Sequence, residues 1–491
     1  MTISLGQLVT EDAALGGALP ADFLYGASTA AFQIEGSPAA EGKGPSVWDR
    51  GLHGPRPGGG AYETGDEACD SYVRWREDVS VLKAMGANSY RFSISWPRIV
   101  PDGRADTPPN QAGLAHYAAM VDALLDAGIT PVVTLFHWDV PVALDDEYGG
   151  FESARIVPDF TAYARAVFAA LPRVKHWITV NEPFVWASIN ASVLKTDWSD
   201  AKWAAYTRHT LLAHAAVVDM YRREFCDAGG GQIGITLNMD WVAPIDESKA
   251  AQQATLDLID FWLGMYAEPM YHGRFPASCL RRFGEGPDGL YFTPAEWALV
   301  RGSNDFFGLN HYGTSYATGR PLPPSAGAAE RSFGPYERVH ERDGVPIGNR
   351  GEGGHPHDVP WGFGAILRHV HTHYTGPAAQ TQAQGGRFPI YVTENGFAVA
   401  GEEHMSAAEV QDDVQRQNYF VGYVREMVRA VQDGVDVGGY MAWSLLDNLE
   451  WSNGFGPRFG ITAVGPAPAF TRTPKDSAYM LRRVFAHLIR K

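Results

Sequence analysis

Two glutamates stand out because each one ends an apolar, strand-like segment and has an asparagine as a neighbour. Glu182 follows the run Ile178-Thr-Val-Asn, and Glu394 follows Ile390-Tyr-Val-Thr. A pair of carboxyl groups is what cleavage of a glycosidic bond requires: one protonates the leaving oxygen, and the other faces the anomeric carbon. A single glutamate after a strand is more often a helix cap or a surface charge. The hypothesis therefore depends on the two being brought together.

The two carboxyl groups would need different protonation states. The acid must carry its proton when the substrate binds, so burial or a neighbouring charge should raise its pKa. The nucleophile must stay ionised, and a cation beside it favours that state. Arg91, in the apolar segment Ser89-Tyr-Arg-Phe-Ser-Ile-Ser, is the candidate cation. A structural ion pair is the alternative role for Arg91, and the two roles are compatible.

Strand-like apolar runs alternate with helical runs along the chain, and this framework has to position the two glutamates. The predicted strands are residues 23–28, 89–95, 130–137, 176–182, 232–238, 305–312, 389–396 and 437–446. The predicted helices are residues 67–85, 114–127, 154–170, 200–225, 248–265, 361–374, 408–432 and 475–489. Near-continuous apolar strands are typical of a buried parallel sheet. Strand–helix units in this number predict a single (β/α)8 barrel domain over residues 1–491, with residues 1–19 irregular.

A barrel would bring the two glutamates to one face. Barrel enzymes place their chemistry where the strands end, and both Glu182 and Glu394 lie at predicted strand ends. An open, doubly wound sheet is the alternative fold. No Gly-x-Gly-x-x-Gly turn follows the first predicted strand, which disfavours that alternative.

The composition disfavours several kinds of partner. The 491-residue chain has a formal net charge of −16, which disfavours nucleic acid and anionic membranes. No apolar run reaches the ~18 residues that a membrane-spanning helix needs. The three cysteines lie far apart without metal-binding spacing, so we expect free thiols in a reducing compartment. The N-terminus lacks a basic start and a long apolar run, which predicts a cytoplasmic protein without a secretory signal.

Several different short motifs follow one another in a fixed order along the chain. They are Phe23–Gly36, Tyr90–Trp96, His137–Pro141, Thr179–Pro183, Tyr391–Gly396, Trp443–Trp451 and Arg472–Ser477. In this order they resemble glycoside hydrolase family 1, the β-glucosidase family. The resemblance implies a (β/α)8 barrel and retaining hydrolysis by double displacement. It matches Glu182 to the family's acid/base and Glu394 to its nucleophile.

The resemblance also implies a pocket that binds the hydroxyls of a sugar. In it Gln33 would bind two adjacent hydroxyls, His137 would bind one, and Asn181 would hold the 2-hydroxyl. Glu450 and Trp451 would bind the far hydroxyls, and a carboxylate can accept from two hydroxyls at once. Taken alone, buried glutamine and histidine are more often satisfied core residues. Their place at strand ends within matched motifs favours the binding role.

The remaining implied site residues lie beside the nucleophile or around the sugar ring. Asn310 and Tyr312 match positions near the nucleophile. Trp443 would lie beneath the ring, and Trp138 and Phe459 would complete the pocket. Packing in the core is the alternative role for the tryptophans.

The matched positions narrow the substrate to non-phosphorylated O-glycosides. Relatives that act on 6-phosphorylated sugars have a small residue where this chain has Glu450, and a carboxylate there would repel phosphate. Thioglucosidases of the family lack the acid that Glu182 supplies. We therefore expect hydrolysis of β-D-glucosides, with β-galactosides or β-fucosides as side activities. This reaction needs no metal and no cofactor. The alternatives are a transglycosidase that uses the same residues and a non-catalytic sugar-binding relative, although such relatives usually lose one of the two glutamates.

Two segments leave the substrate's leaving group undetermined. The connection Val185–Asp200 is short and carries Trp186, Lys195 and Trp198, unlike the family's longer loop. Residues 313–360 form the longest predicted irregular stretch, rich in glycine and proline. Because it leaves the end of a strand, it either walls the pocket or forms a mobile, solvated insertion. The sequence does not predict the oligomeric state.

Overall fold

The computed structural model of the protein describes residues 15–56, 58–195, 198–226, 230–323, 325–377 and 387–491. Most of the N-terminal segment that was predicted to be irregular, residues 1–14, lies outside the described residues. Leu19, which ends that segment, forms an isolated parallel bridge with Ile489 near the C-terminus.

Eight parallel strands form a closed barrel, as predicted. They are β1 (Leu24–Ser28), β2 (Ser89–Ser93), β3 (Thr130–Phe136), β4 (His176–Asn181), β5 (Gln232–Asn238), β7 (Phe307–Asn310), β14 (Ile390–Asn395) and β15 (Val437–Trp443). Their order around the barrel is β1-β15-β14-β7-β5-β4-β3-β2. The strands are buried along nearly their whole length, which explains why their sequences are near-continuous apolar runs.

Each barrel strand is followed by a long helix that packs outside the barrel. These helices are Ser71–Ala84, Gln111–Asp126, Ile156–Ala170, Asp200–Glu224, Lys249–Ile259, Pro360–Val370, Val414–Gln432 and Asp476–Leu488. Shorter α-helices span Ala31–Ile34, Val47–Leu52, Trp96–Ile99, Val142–Tyr148, Pro183–Ile189, Met265–His272, Ala277–Phe283, Pro294–Val300, Ala328–Ser332 and Ala407–Asp412. Wider π-type turns extend three helices over Asn190–Leu194, Asp260–Gly264 and His371–Thr375. Single 3-10 turns lie at Ala40–Gly42, Gly150–Glu152, Glu352–Gly354, Glu402–His404 and Trp451–Asn453.

Two helices differ from their predicted bounds for local reasons. The first begins at Ser71 rather than residue 67, because Ala68 and Asp70 have positive φ angles that no helix tolerates. The predicted helix 408–432 is two helices that meet at Asp413, whose φ is 29°. The Asp413 carboxylate accepts a hydrogen bond from the backbone N–H of Ser477 at 2.9 Å, so a tertiary contact holds this break.

The prediction that residues 313–360 are irregular is wrong. The segment contains β8 (Thr314–Pro321) and β9 (Tyr336–Val339), and β8 pairs with both β6 (Trp241–Pro244) and β9. Two small hairpins follow, β10 (Glu341–Arg342) with β11 (Val345–Pro346) and β12 (Asn349–Arg350) with β13 (His357–Asp358). The pattern was missed because β6, the partner of β8, is distant in sequence, and the hairpin strands are only two residues long. Since β8 starts four residues after β7 ends, this sheet lies beside the carboxyl ends of the barrel strands.

The last two barrel connections complete the fold. A small antiparallel pair, β16 (Thr462–Val464) and β17 (Arg472–Pro474), precedes the final helix.

The three cysteines form no disulfide, as expected. Within the described residues, no helix combines the length and the apolar character needed to cross a membrane.

Candidate active site

Glu182 and Glu394 both lie at the carboxyl-end face of the barrel. Glu182 directly follows β4 and has a left-handed backbone (φ 45°, ψ 64°), and its N–H donates to the carbonyl of Thr236 on β5 at 2.9 Å. Pro183 then begins the next helix, a position where its missing N–H is not needed. Positive φ at a residue other than glycine concentrates at functional sites, because the turn re-aims the side chain.

Both oxygens of the Glu394 carboxylate have donors. Arg91 Nη1 donates to Oε1, and the hydroxyl of Tyr312 donates to Oε2 at 2.5 Å. Arg91 is fully buried on β2 and reaches across the barrel interior, where Nη2 also donates to Asn181 Oδ1 at 2.6 Å. The ion pair that was an alternative role for Arg91 is thus made with Glu394 itself. The carboxylate is held in one orientation with a cation beside it.

Glu182 lies in a different environment. Its side chain is buried, and its one hydrogen bond within the described residues comes from Asn310 Nδ2 to Oε1 at 2.7 Å. Burial, and next the negative charge of Glu394, raise the pKa of Glu182 well above its ordinary value. Asn310 is itself oriented by Thr393, whose hydroxyl donates to Asn310 Oδ1 at 2.6 Å. Burial therefore favours the protonated form of Glu182, whereas the carboxylate of Glu394 accepts hydrogen bonds from Arg91 and Tyr312.

Tyr312 is fixed through its backbone as well as its hydroxyl. The register of β7 with β14 pairs Asn310 with Glu394, so the residues after β7 lie next to that carboxylate. The backbone N–H of Tyr312 donates to Asp240 Oδ1 at 3.1 Å, and its carbonyl accepts from Tyr419 at 2.7 Å. Burial, followed by the nearby carboxylates, raises the pKa of Tyr312, so its hydroxyl remains a donor.

Gln33 and His137 each present an unpaired polar atom. Gln33 Nε2 donates to the carbonyl of Leu449 at 2.8 Å and lies 3.4 Å from Glu450 Oε2. Gln33 Oε1 and His137 Nδ1 are buried and have no partner among the described residues. Burial, and then the charge of Arg91, lower the pKa of His137, so the ring is neutral. These two atoms offer an acceptor and a ring nitrogen to hydroxyl groups.

Asn181 links the two halves of the site. Its Nδ2 lies 3.1 Å from His137 Nε2, and its Oδ1 accepts from Arg91 and, at 3.1 Å, from Asn310. The carbonyl of Asn181 accepts from Trp138 Nε1 at 2.9 Å. If Asn181 Nδ2 donates to Nε2 of the neutral ring, the proton of His137 is on Nδ1.

The predicted aromatic residues pack next to His137 and Tyr312. The ring of His137 lies 5.9 Å from that of Trp443 and 5.8 Å from that of Trp451. Trp443 and Phe459 belong to a small apolar group of their own, separate from the main core, against which Tyr312 packs. Trp451 by contrast is part of the main core and packs 4.7 Å from Trp138. The structure therefore brings all the predicted site residues to one end of the barrel.

Glu450 differs from the sequence-based picture in its protonation. Burial, and then the charge of Glu394, raise the pKa of Glu450 to about 8. At neutral pH its side chain is therefore mostly the protonated acid, which donates one hydrogen bond and accepts others. Repulsion of phosphate by a fixed carboxylate was the sequence argument. The protonated acid carries no charge that would repel phosphate, so that argument holds only for the ionised form of Glu450.

The altered segment after Glu182 packs against residues that were predicted to bind the sugar. Trp186 is buried and packs 5.9 Å from Phe136 and 6.4 Å from Trp138, ring to ring. Lys195 is paired with Asp145 at 2.9 Å. Residues 196 and 197 of this connection lie outside the described residues. Neither Trp186 nor Lys195 is free to contact a leaving group.

Sequence analysis missed Asp240, which lies two residues after β5. Its Oδ1 accepts from the N–H groups of Tyr312 and Gly313, and its Oδ2 lies 2.8 Å from His355 Nε2. Burial works against ionisation, but His355 lowers the pKa of Asp240 overall. Position alone was the available signal, because Asp240 follows a predicted strand as Glu182 does.

A buried ionic cluster that the sequence did not reveal supports the segment carrying Glu450. Lys475 Nζ donates to Glu402 at 2.6 Å and to Asp447 at 2.9 Å, and Arg416 also pairs with Glu402. It thus joins the connection after β14 to the one after β15. Lys475 lies in the motif Arg472–Ser477, to which the resemblance assigned no role.

A closed (β/α)8 barrel with two inward carboxyl groups at its carboxyl end is the architecture of a barrel glycoside hydrolase. The family model "Glycosyl hydrolase family 1" matches residues 16–488, and the chain belongs to that family. Its members are retaining glycosidases, and this chain is one of them. The resemblance found in the sequence is confirmed.

Named relatives agree along nearly the whole chain. Beta-glucosidase 1B of Phanerodontia chrysosporium is 41% identical over 96% of this chain and 86% of its own. Raucaffricine-O-beta-D-glucosidase of Rauvolfia serpentina is 38% identical over 96% and 92%. The crystal structure of a family 1 β-glucosidase from the fungus Humicola insolens in complex with glucose has a TM-score of 0.88 at 42% identity, over 96% of this chain and 99% of that chain.

Proposed function

We propose that this protein hydrolyses β-D-glucosides, with Glu182 as the acid/base and Glu394 as the nucleophile. The observation that supports the assignment is the contrast between the two carboxyl groups. Arg91 and Tyr312 hold both oxygens of Glu394, whereas burial and the Glu394 charge raise the pKa of Glu182. Each group is therefore prepared for one of the two roles that retaining hydrolysis requires.

In the proposed first step, a Glu394 oxygen bonds to the anomeric carbon as the bond to the leaving oxygen breaks. Glu182 gives its proton to that oxygen, so the aglycone leaves as a neutral alcohol. In the second step Glu182, now a carboxylate, removes a proton from water as the water oxygen attacks the anomeric carbon. The ester bond to Glu394 breaks, and the sugar leaves with its original anomeric configuration.

Glucoside preference rests on the polar groups around the sugar and on the named relatives. The unpaired atoms of Gln33 and His137, together with Asn181 and Glu450, offer donors and acceptors to a polyhydroxylated ring. Trp443, in its small apolar group, offers a flat face to the C–H side of the ring. The substrates we expect are non-phosphorylated O-glucosides, with β-galactosides and β-fucosides as weaker ones.

The nucleophile assignment is tested with Glu394→Gly. The variant should lose turnover of 2,4-dinitrophenyl β-D-glucoside, and azide should partly restore it by taking the space and the role of the carboxylate. Glu403→Gly, an exposed glutamate in the connection after the same strand, is the matched control and should keep its activity. Near-normal turnover by Glu394→Gly would contradict the assignment.

Neither alternative function is favoured by a specific observation. Both carboxyl groups are present and have different hydrogen-bond partners, which argues against a non-catalytic sugar-binding protein. Product analysis with added alcohol acceptors measures how much transglycosylation accompanies hydrolysis.

We also propose a cytoplasmic location, supported by three cysteines that form no disulfide. Cell fractionation would test it.

A further inference from the structure

Arg338, on β9, is a cation without an anionic partner. Its guanidinium lies 4.6 Å from the ring centre of Trp262 and 5.7 Å from that of Phe333. Among the described residues, no hydrogen bond or ion pair to this guanidinium is made. Burial lowers the pKa of Arg338 to about 10, so it stays charged at neutral pH. A crowded charge without a partner is costly, and such a group is often retained for a ligand.

The neighbouring charges on the same sheet are arranged differently. Glu337, whose side chain points to the opposite face of β9, pairs with Arg320 at 2.6 Å. Arg342 lies 5.2 Å over the ring of Tyr316, and its residue is exposed. Arg338 is half-buried and lies on the other face of β9 from Glu337. Its lack of an anionic partner is therefore not shared by the neighbouring Arg320.

Arg338 is connected to the acid side of the candidate site by aromatic contacts. The ring of Trp262 lies 5.6 Å from that of Phe184, two residues after Glu182. Trp262 Nε1 donates to the carbonyl of Phe333 at 2.8 Å, which holds the platform beneath the guanidinium. Since Glu182, as the proposed acid, must lie beside the leaving oxygen, we infer that this cluster borders the leaving-group side of the site.

Asp240 lies near both Glu182 and Arg338, but it does not form an ion pair with Arg338. Its charge influences the pKa of both Glu182 and Arg338, so it lies within electrostatic range of the two. Its carboxylate oxygens are already bound by His355 and by the N–H groups of Tyr312 and Gly313. The guanidinium of Arg338 therefore keeps its hydrogen-bond donors for another acceptor.

We propose that Arg338 forms a leaving-group subsite that favours aromatic aglycones carrying a carboxylate. The inference rests on the proposed function, since it concerns the leaving group of that reaction. Phe333, which is only partly buried, supplies an apolar contact to an aromatic ring, and a guanidinium binds a carboxylate through two parallel hydrogen bonds. Arginine suits this role because its planar fork matches the carboxylate.

The test compares 4-carboxyphenyl β-D-glucoside with its methyl ester, which has the same shape without the charge. For each enzyme, the ratio of kcat/KM for the acid to that for the ester is measured at pH 7. The ratio should fall by about 10-fold or more in Arg338→Met, the loss expected for a hydrogen bond to a charged group. Arg342→Met, the exposed arginine on the next hairpin, should leave the ratio unchanged. Dividing by the wild-type ratio removes the difference in leaving-group acidity.

A second measurement needs only the wild-type protein. Raising sodium chloride from 50 to 500 mM should lower the same ratio, because salt screens an accessible ion pair. The proposal is overturned if Arg338→Met hydrolyses the ester normally and keeps the wild-type ratio, or if the wild-type ratio does not respond to salt. Loss of turnover of both substrates by the wild-type protein would instead contradict the proposed function itself.

Discussion

The hydrogen bond between Tyr312 and Glu394 gives a prediction with a definite magnitude. In Tyr312→Phe, the donor that lies 2.5 Å from Glu394 Oε2 is lost while the ring remains. The backbone bonds of Tyr312 to Asp240 and Tyr419 do not involve the hydroxyl, so the position of residue 312 should persist. A hydrogen bond to a charged group contributes about 1.5–3 kcal/mol. At about 1.4 kcal/mol for each factor of ten, kcat/KM should fall roughly 10- to 150-fold.

The loss should appear in the step that forms the glycosyl-enzyme, because Tyr312 orients the attacking carboxylate. We expect kcat/KM for an aryl glucoside to fall more than kcat does when hydrolysis of the intermediate limits kcat. Tyr206→Phe is the control, since Tyr206 is a buried tyrosine whose hydroxyl has no partner among the described residues. Steady-state and burst kinetics on 4-nitrophenyl β-D-glucoside measure both quantities. A kcat/KM within twofold of the wild-type value, or an equal loss in Tyr206→Phe, would refute the argument.

Three further predictions follow from the carboxyl groups and the buried cluster. Burial and the neighbouring charge raise the pKa of Glu182, so kcat/KM should be high below that pKa and should fall as pH rises through it. In Glu182→Gln this fall should disappear. The same variant should hydrolyse glucosides with poor leaving groups far more slowly, whereas dinitrophenyl glucosides should be affected much less. Because the pKa of Glu450 is about 8, its side chain is protonated at pH 6, and glutamine resembles that form. Glu450→Gln should therefore keep most activity at pH 6, whereas Glu450→Ala should lose roughly 10- to 100-fold in kcat/KM. Equal losses in the two variants would show that the ionised form is needed. Lys475→Met leaves Glu402 short of a buried cation at a cost of about 3–5 kcal/mol, which in a chain of 491 residues lowers Tm by roughly 4 °C in calorimetry. Adding Glu402→Gln should recover part of that loss, and strict additivity of the two changes would contradict the pairing.

The barrel could be predicted from sequence because each of its elements carries a strong local pattern. Strands buried on both faces need continuous apolar residues, and the helices outside them need one apolar side. The sheet formed by β6, β8 and β9 gave no such pattern. The strands β6 and β9 have only 4 residues each, β8 contains glycine and proline, and β6 pairs with a strand far away in the sequence. Bounds set by tertiary contacts, such as the break at Asp413, were missed for the same reason.

Residue type and position at strand ends were enough to nominate Glu182 and Glu394, because parallel strands in a barrel end on one face. What only the tertiary structure decided is the state of each group. The burial and the hydrogen-bond partners of each carboxyl group depend on residues distant in sequence: Arg91 and Tyr312 at Glu394, and Asn310 at Glu182.

The leaving-group side shows the same division. The sequence identified an unusual connection after Glu182 but could not say where its residues would point. In the structure its Trp186 and Lys195 are occupied elsewhere. Among the described residues, Arg338 is a cation without an anionic partner, and it lies on a strand within the segment that was predicted to be irregular. Type and spacing determine which residues are able to react, whereas folding determines which of them are left without a partner, because pairing depends on contacts that no local pattern records.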